Sequence, residues 1–242
     1  MRIFSKTDIG LVRDINQDAC RWGELSENCV WAVVCDGMGG ENGGNVASKI
    51  AVETISDCIL NEYEDDCSDE SLGALIVRSI QKANDKIFKQ SKEDESLAGM
   101  GTTIEAAFIR NNNLFLGHIG DSRAYIMREG KLTQITKDHS LVQELIESGE
   151  ITPQQAANHP NKNLITRALG VIEDVKIDFI EASFEKDDIL VLATDGLTNY
   201  ISDEDMANTI TQNDLSKVCD LLVDAAKSEG GSDNITVALI TE

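Results

Sequence analysis

The hydrophobic residues of the chain fall into short, mostly unbroken runs, and four of these runs lie next to an aspartate. The pairs are 30–35 with Asp36, 114–119 with Asp121, 189–193 with Asp195, and 235–240 with Asp233, which precedes its run. Apolar runs of this length, without helical spacing, predict buried strands. If these strands share one sandwich, the four carboxylates would meet at a common edge.

Other stretches carry the three- and four-residue spacing of an amphipathic helix. This spacing predicts one helix over Val46–Tyr63 and a second helix that begins near Ser71. Two further helices are predicted near the C-terminus from their capping residues. The first would begin at Ser202-Asp203 and the second at Asn213 or Asp214.

The remaining apolar runs predict antiparallel strands rather than alternating strand–helix–strand units. The additional strands are expected over 1–10, 103–109, 123–128, 131–136 and 177–181. The turn residues Asn111–Asn113 and Glu129-Gly130 each join two runs into a hairpin. We therefore expect an antiparallel meander between residues 103 and 136, and about two antiparallel sheets with two pairs of helices in the whole chain.

Residues 138–170 differ in character from the rest of the chain. Ser140 can cap one short helix, and Thr152-Pro153 can start another. The segment also contains both prolines of the protein and two of its three histidines, His139 and His159. On the residues alone, the simplest interpretation is a helical insertion between two strands.

Composition and charge narrow the classes of function. The 242 residues include 41% hydrophobic residues, which is typical of one large domain with a substantial core. The net charge of −22 argues against a general nucleic-acid binder and against docking on anionic lipid. The six cysteines show no Cys-x-x-Cys spacing, so we expect reduced structural thiols in a cytosolic protein rather than a zinc site. Neither a signal peptide nor a membrane span is expected.

Candidate metal ligands follow the first of the buried runs. Asp36 is succeeded by five glycines within eight residues, so the backbone after it can turn sharply and offer a carbonyl oxygen. Carboxylate and carbonyl oxygens suit Mg²⁺ or Mn²⁺. One such turn is equally compatible with an ordinary loop, but four strand-end aspartates favour a cation between them, because close carboxylates repel each other. The loop is not a P-loop, since no Gly-Lys-Ser/Thr follows it.

Six short motifs occur in a fixed order along the chain. They are Arg13-Asp14-Ile15-Asn16-Gln17-Asp18, Asp36-Gly37-Met38-Gly39-Gly40, Gly101-Thr102-Thr103, Gly120-Asp121-Ser122-Arg123, Thr194-Asp195-Gly196 and Asp233-Asn234. With this set the chain resembles the metal-dependent Ser/Thr protein phosphatases (PPM family, type 2C), and most of all their compact bacterial members. The resemblance covers essentially the whole chain.

This resemblance implies a fold. The class would be α+β, with an antiparallel β-sandwich flanked by helix pairs on both faces, a four-layer αββα arrangement. Residues 1–242 would form a single catalytic domain, and residues at about 138–170 would form a flap beside the active site that influences the choice of substrate.

The resemblance also implies a set of metal ligands. Two core ions, Mn²⁺ or Mg²⁺, would lie at the strand ends, with Asp36 as the bridge between them. Asp195 and Asp233 would ligate one ion, and the carbonyl of Gly37 would ligate the other. A third and weaker ion is implied near Asp121 and Asp195.

Three further residues take roles from the same resemblance. Arg13 would hold a phosphate dianion with its planar fork of donors. Asp18 would lie near the metals and contact them through water. Asn234 would orient its neighbour Asp233 from behind the ligands.

The sequence does not identify the general acid that would protonate the leaving group. Many eukaryotic members of the family carry histidine at the position of Met38, and many bacterial members carry it at the position of Glu41. A water on the third metal, Glu41 or His139 could protonate the leaving group. His118 lies inside a strand pattern and is expected to be a structural histidine.

The leading hypothesis for function is a protein serine/threonine phosphatase that reverses a bacterial Ser/Thr kinase by direct attack of a metal-bridged water or hydroxide. One alternative is a metal-dependent phosphatase of a small phosphorylated metabolite, or of a phosphodiester. Another is a non-catalytic relative that binds partners through the same fold. We expect phosphorylated proteins and a cognate kinase as partners, a monomeric state and a cytoplasmic location, with neither nucleic acid nor membrane as a partner.

Overall fold

The computed structural model describes residues 1–40 and 43–242 in full, and the side chains of Glu41 and Asn42 lie outside the described part. In chain order the strands are β1 Arg2–Asp8, β2 Ala19–Ser26, β3 Cys29–Cys35, β4 Gly37–Met38, β5 Gly101–Thr102, β6 Ile104–Arg110, β7 Asn113–Ile119, β8 Arg123–Arg128, β9 Lys131–Gln134, β10 Asp178–Ser183, β11 Ile189–Ala193 and β12 Ile235–Thr241. The helices are α1 Gly40–Glu62, α2 Asp69–Glu93, α3 Leu141–Glu147, α4 Pro153–Ala157, α5 Asp195–Thr198, α6 Asp203–Gln212 and α7 Leu215–Ser228, with one 3₁₀ turn at Glu95–Leu97.

Two five-stranded sheets form the centre of the molecule. The first sheet has the order β1-β12-β11-β8-β9 and the second has the order β10-β7-β6-β3-β2, while β4 and β5 pair separately. Every strand pairing among the described residues is antiparallel, as the sequence predicts. The predicted hairpins β6-β7 and β8-β9 are both present.

The continuous meander expected between residues 103 and 136 is wrong, because its two hairpins belong to different sheets. The chain leaves the second sheet after β7 and enters the first at β8, through the short segment that contains Gly120 and Asp121. Gly120 has a φ of +114°, and a Cβ there would lie 2.5 Å from Cγ2 of Thr103. The sharp passage between sheets therefore requires glycine, and it leaves Asp121 at the edge of the sandwich.

Side chains fill three layers of core. Between the sheets, Val34 of β3 and Leu192 of β11 belong to one buried cluster. On the outer face of the second sheet, Trp31 packs with residues of α1 and α2, and on the outer face of the first, Tyr125 packs with residues of α6 and α7. This is the expected four-layer αββα arrangement. Because β3 is buried on both faces, its sequence is apolar without alternation.

Helix α1 begins at Gly40, six residues before the predicted start at Val46. Three of the glycines that suggest a loop in the sequence, Gly40, Gly43 and Gly44, lie at the start of this helix instead. A Cβ on Gly44 would lie 2.6 Å from the carbonyl carbon of Gly37, so the helix end packs directly against the backbone of the turn. Close approach of two main chains is the reason for glycine at position 44, whereas Gly40 has a φ of +58°, which favours glycine.

Strand β2 and helix α5 are absent from the prediction. Strand β2 pairs with β3 in the register Cys20↔Val34, but its exposed and partly buried positions give it no clear apolar pattern. Helix α5 is a single helical turn that begins at Asp195, where the sequence predicts only the end of a strand.

The short helices of residues 138–170 follow their predicted caps. The hydroxyl of Ser140 accepts a hydrogen bond from the backbone N–H of Gln143 at the start of α3. Thr152 and Gln155 form a reciprocal capping box at the start of α4, with Pro153 as the first helical residue. The expected helical character of this segment is therefore confirmed.

The six cysteines all carry free thiols, and Cys29, Cys35, Cys58 and Cys219 are buried. Across the described part of the chain, none of the helices is both long enough and apolar enough to cross a bilayer.

We expect Leu192→Ala to destabilise the fold by about 2–5 kcal/mol, because it empties a fully buried position between the two sheets. Urea unfolding followed by circular dichroism measures the change. The matched control is Leu221→Ala on α7, where the side chain is 39% exposed and a change within about 0.5 kcal/mol is expected. Equal effects of the two substitutions would contradict the layered core.

Candidate functional site

A cleft of about 330 Å³ opens at the edge of the sandwich where the strand-end aspartates lie. Its lining residues are Arg13, Gln17, Asp36, Gly37, Met38, Gly39, Gly40, Thr103, Asp121, Asn163, Ile165, Asp195 and Asp233. Six of the residues predicted for the site therefore share one cavity: Arg13, Asp36, Gly37, Asp121, Asp195 and Asp233. Asp18 and Asn234 lie behind it, His139 lies elsewhere, and the side chain of Glu41 is outside the described residues.

The main chain of Asp36 is clamped where β3 ends. Its backbone N–H donates to Oγ1 of Thr103 at 2.9 Å, and its carbonyl accepts from Oγ1 of Thr102 at 2.8 Å and from the N–H of Thr103 at 2.9 Å. The hydroxyls of Thr103 and Ser122 are 2.7 Å apart, which ties the same point to the segment after Asp121. Asp36 is thus held on a rigid strand end rather than on a mobile loop.

The carboxylates of the cleft destabilise one another in the absence of a cation. Burial, and after it the charges of neighbouring aspartates, raise the pKa of Asp36 well above its usual range. The same causes raise the pKa of Asp195, where Asp233 is the strongest neighbouring charge, and raise that of Asp121 to about 7. Several acids that resist ionisation together form a cluster that positive charge would stabilise.

Asp18 is the most deeply held of these acids. Its Oδ2 accepts hydrogen bonds from the hydroxyls of Thr194 at 2.9 Å and Thr236 at 2.7 Å. Its Oδ1 is buried and has no hydrogen-bond partner. Burial raises the pKa of Asp18 to about 7, and the nearby charges of Asp195 and Asp233 add to the effect. A buried acceptor without a partner needs an explanation, and a water or cation in the cleft supplies one.

Arg13 lies at the mouth of the cleft and contacts Asp233. One guanidinium nitrogen lies 2.8 Å from Oδ2 of Asp233, and both side chains are partly exposed. The arginine therefore brings the only strongly basic group among the cleft-lining residues that the structure describes. Its position beside the carboxylates is suited to an anion that bridges the guanidinium and cations in the cleft.

Asn234 holds the loop that carries Arg13. Its side-chain amide donates to the carbonyls of Ile9 at 3.0 Å and Ile15 at 3.1 Å, and its Oδ1 accepts from the N–H of Gln17 at 2.8 Å. The expected contact with Asp233 is made by the backbone N–H of Asn234 instead, which donates to Oδ1 of Asp233 at 2.8 Å. The side chain is fully used by the loop, so its structural task is to position Arg13.

Asp195 starts the single helical turn α5, directly after β11. Nδ2 of Asn199 donates to its Oδ2 at 3.0 Å. A Cβ on the next residue, Gly196, would lie 1.9 Å from the carbonyl oxygen of Asn234, so the turn packs directly on the Asp233-Asn234 backbone. This contact keeps Asp195 and Asp233 side by side.

The chemistry of the donor set fits a hard divalent cation. The cleft offers carboxylate and main-chain oxygens, which Mg²⁺ and Mn²⁺ prefer. Within the described residues, no three acidic, histidine or cysteine side chains are grouped so that they hold a metal by themselves. Ligation would therefore depend on the Gly37 carbonyl and on water as well as on carboxylates, which is usual for ions that keep part of their water shell. The residues present thus fit the metals that the sequence resemblance implies.

The geometry argues against His139 as the general acid. The side chain is buried, its Nδ1 accepts from the N–H of Gly120 at 3.0 Å, and its Nε2 lies 3.1 Å from Asp178. Burial lowers the pKa of His139 to about 4, although Asp178 acts in the opposite direction. This histidine braces the segment before Asp121 and has no free edge toward the cleft.

His118 is a structural histidine, as expected from the sequence. It is fully buried, its Nδ1 contacts Glu105, and its Nε2 lies 2.9 Å from the carbonyl oxygen of Lys137. Its ring centroid lies 4.6 Å from that of His139. The two histidines join the second sheet to the start of the 138–170 segment.

A second cleft, of about 350 Å³, lies beside the first and shares Asp121 and Asp195 with it. Helices α3 and α4 line its other side through Val142, Ile146 and Ala156. The segment 138–170 therefore borders the carboxylate cluster.

Four threonines that support the site received no role from the sequence: Thr102, Thr103, Thr194 and Thr236. Three of them stand inside the ordered motifs, so their position beside glycine and aspartate was an available signal. Thr236 was visible only as a polar residue in an otherwise apolar strand. Its partner, Asp18, is 218 positions away in the sequence, and this separation hides the contact.

Comparison with known proteins gives consistent results. The sequence profile described as protein phosphatase 2C matches residues 12–237. The serine/threonine phosphatase stp of Listeria monocytogenes is 39% identical over 236 residues, which are 97% of this chain and 93% of the relative.

Solved structures agree with these sequence matches. The Streptococcus agalactiae serine/threonine phosphatase superposes with a TM-score of 0.91 at 38% identity, over 100% of this chain and 99% of that chain. The catalytic domain of the protein phosphatase PstP, solved in complex with two manganese ions, gives a TM-score of 0.85 at 34% identity, over 98% and 96% of the two chains. The chain therefore belongs to the protein phosphatase 2C family, and it is an enzyme, a serine/threonine phosphatase.

Proposed function

We propose that the carboxylate cleft hydrolyses phosphoserine and phosphothreonine esters of proteins with two divalent ions, Mn²⁺ or Mg²⁺, held by Asp36, Gly37, Asp195 and Asp233. The observation that carries the proposal is the convergence of four mutually repelling carboxylates with one arginine in a single cleft. When bound, the two ions would activate a water for attack on phosphorus and would neutralise charge on the phosphoryl oxygens.

The chain's own residues divide the remaining tasks. The clamped backbone of Asp36 holds its carboxylate in the cleft, where it would ligate the ions, and Asp195 and Asp233 would hold one of them. Asp18, anchored by Thr194 and Thr236, would hold ordered water through its unpartnered Oδ1.

Arg13 binds the phosphoryl group of the substrate. Its contact with Asp233 holds the guanidinium at the mouth of the cleft, with donors left over for phosphate oxygens. Because the loop that carries Arg13 is anchored, less conformational entropy is lost when the phosphoryl group binds. Transition-state charge on the phosphoryl oxygens would be stabilised by this arginine as well as by the ions.

The proposed function also extends to a third ion, the domain organisation and the partners of the protein. A third, weaker ion would bind near Asp121 and Asp195. Residues 1–242 would act as one catalytic domain, with 138–170 as the flap. The phosphatase would be a cytoplasmic monomer that reverses the action of a cognate Ser/Thr kinase, with neither nucleic acid nor membrane as a partner. The acidic net charge of −22 supports the last part.

We expect Asp195→Asn to lower kcat by about 10²–10³-fold, because the amide loses the charge that holds a cation. Phosphate release from a phosphothreonine peptide, with and without Mn²⁺, measures the effect. The matched control is Asp220→Asn, which removes an exposed carboxylate paired with Lys6 at 2.9 Å. Metal-independent turnover by the wild type, or no turnover by a folded and metal-loaded wild type, would refute the proposed function.

Arg13→Ala should raise the KM for a phosphopeptide and lower kcat/KM by about 10²-fold, since a charge-assisted contact to the phosphoryl group is lost. Arg13→Lys should restore only part of the loss, because a point charge cannot replace the planar fork. Steady-state kinetics measure both variants beside the control Arg21→Ala, which removes an exposed arginine of β2. Unchanged KM and kcat in Arg13→Ala would remove this residue from substrate binding.

The pKa of Asp18 and that of Asp121, each raised to about 7, predict how metal affects stability. A carboxyl group whose pKa is higher in the folded than in the unfolded state contributes fully to the stability of the metal-free protein below the unfolded pKa near 3.8. This contribution is lost as the pH rises toward the folded pKa of about 7. Bound cations remove the penalty, so Mn²⁺ should raise Tm more at pH 7.5 than at pH 5.5.

Thermal unfolding with excess Mn²⁺ or with chelator tests this expectation. In the metal-free protein at pH 7.5, Asp36→Asn should raise Tm by about 2–4 °C, the change produced by about 1 kcal/mol in a chain of this size. The same substitution should reduce the Tm gain from Mn²⁺. An equal gain in the wild type at both pH values would contradict the electrostatic account of the cleft.

A further inference from the structure

The exposed large hydrophobic side chains are concentrated in two short segments. Among the described residues they are Ile9, Leu11, Val12, Ile15, Trp22, Leu60, Leu164, Val171, Ile172 and Leu221. Seven of these ten lie in segments 9–15 and 164–172. Single exposed apolar residues need no explanation, but a concentration of them marks a surface for binding.

Both segments border the cleft. In the first, Leu11 and Val12 immediately precede Arg13, and they are 61% and 66% exposed. In the second, Leu164 is 53% exposed and stands between Asn163 and Ile165, which both line the cleft.

Val171 completes the second side. Its Cγ2 lies 3.0 Å, and Cγ of Met38 lies 3.5 Å, from the point that a Cβ on Gly101 would occupy. Because Met38 lines the cleft, Val171 is close to its mouth. Leu11, Val12 and Ile15 on one side, with Leu164 and Val171 on the other, are called the apolar rim below.

The rim residues of the first segment are held in place rather than loosely displayed. Asn234 fixes the carbonyls of Ile9 and Ile15, and the N–H of Leu11 donates to the carbonyl of Gly231 at 2.7 Å. Apolar side chains fixed in this way stay exposed to water. This exposure is unfavourable in free energy, and contact with a ligand would remove the penalty. A preformed surface also binds with less loss of entropy.

We propose that the apolar rim binds the residues that flank the phosphorylated side chain of a protein substrate, and that it selects substrates with apolar flanking residues. This inference rests on the proposed function. The cleft of about 330 Å³ can take the phosphoryl group and the side chain that carries it, so the neighbouring substrate residues must lie outside, across the rim. A small phosphorylated metabolite would not reach it.

Charge complementarity sharpens the substrate class. The protein has a net charge of −22, and the exposed Asp14 stands within the first rim segment, beside Arg13. A substrate segment that already carries a phosphate would be repelled by this field unless it also carried basic residues. The substrates selected by the rim therefore combine apolar residues next to the phosphothreonine with lysine or arginine further out. The same charge disfavours an anionic lipid surface as the occupant.

The test compares three substrates on the holoenzyme with Mn²⁺. Two are phosphothreonine peptides of equal charge, one with valine and leucine beside the phosphothreonine and one with serine at those positions. The third is p-nitrophenyl phosphate, which cannot contact the rim. The enzyme variants are Leu11→Ser with Val12→Ser on one side of the cleft, and Leu164→Ser on the other. Leu60→Ser on α1, where the side chain is 51% exposed, is the matched control.

We expect the wild type to prefer the apolar-flanked peptide, and each rim variant to lose about 10-fold in kcat/KM on that peptide alone. Activity on p-nitrophenyl phosphate should stay within about 2-fold, which would show that Arg13 has not moved. Leu60→Ser should change none of the three values.

Several results would overturn the inference separately from the proposed function. Wild-type turnover of both peptides without preference would reject the rim while leaving a protein phosphatase. Equal losses on all three substrates would show a distorted site rather than a docking surface. A wild-type dimer converted to monomer by the rim variants, with unchanged peptide kinetics, would identify the rim as a contact between copies. Turnover of p-nitrophenyl phosphate but of no phosphopeptide would reject both proposals.

Discussion

Buried carboxylates that repel one another lie together at the edge of the sandwich, and the surrounding fold has to hold them there. Burial and neighbouring charge raise the pKa of Asp18, Asp36, Asp121 and Asp195 together. Such a cluster weakens the metal-free fold, so it persists only where a stable scaffold holds it. The sandwich does this by placing each aspartate within two residues of one end of a strand, so that the side chains cannot move apart without breaking sheet hydrogen bonds. Divalent ions would relieve the repulsion that destabilises the metal-free protein, and this relief would add to the free energy of metal binding.

The supporting contacts are mostly short-range in space and long-range in sequence. Threonine hydroxyls hold the main chain of Asp36 and one carboxylate oxygen of Asp18. Glycines allow backbones to touch, as where Gly196 meets the carbonyl of Asn234. None of these groups carries charge or chemistry of its own. They fix the positions of the groups that do, which is what a preorganised electrostatic site requires.

The loop that carries Arg13 connects the site with the surface around it. Asn234 stands next to a proposed metal ligand in sequence, yet its side chain braces this loop at three points. Asp233 contacts Arg13, and Asn234 holds the loop on which Arg13 and one side of the apolar rim stand. In the proposed account, phosphate recognition and recognition of the surrounding polypeptide share this one support. The nearby segment 138–170 borders the carboxylates from the other side, braced by His139 through the N–H of Gly120.

Most of the buried strands, the long helices, the helix caps and the strand-end position of the aspartates can be predicted from the sequence, because they follow from local hydrophobic spacing and local hydrogen bonding. Its ordered motifs also determined the family, and with it the four-layer architecture. Long-range packing settles which sheet each hairpin joins, that Gly40, Gly43 and Gly44 lie at the start of α1, and that the side chain of Asn234 holds the loop of Arg13. It also decided that His139 faces Asp178 and not the cleft. These outcomes depend on contacts between residues far apart in the chain, such as the 218 positions between Asp18 and Thr236. Local pattern carries no information about such contacts, since it records only how each segment is buried and not what buries it.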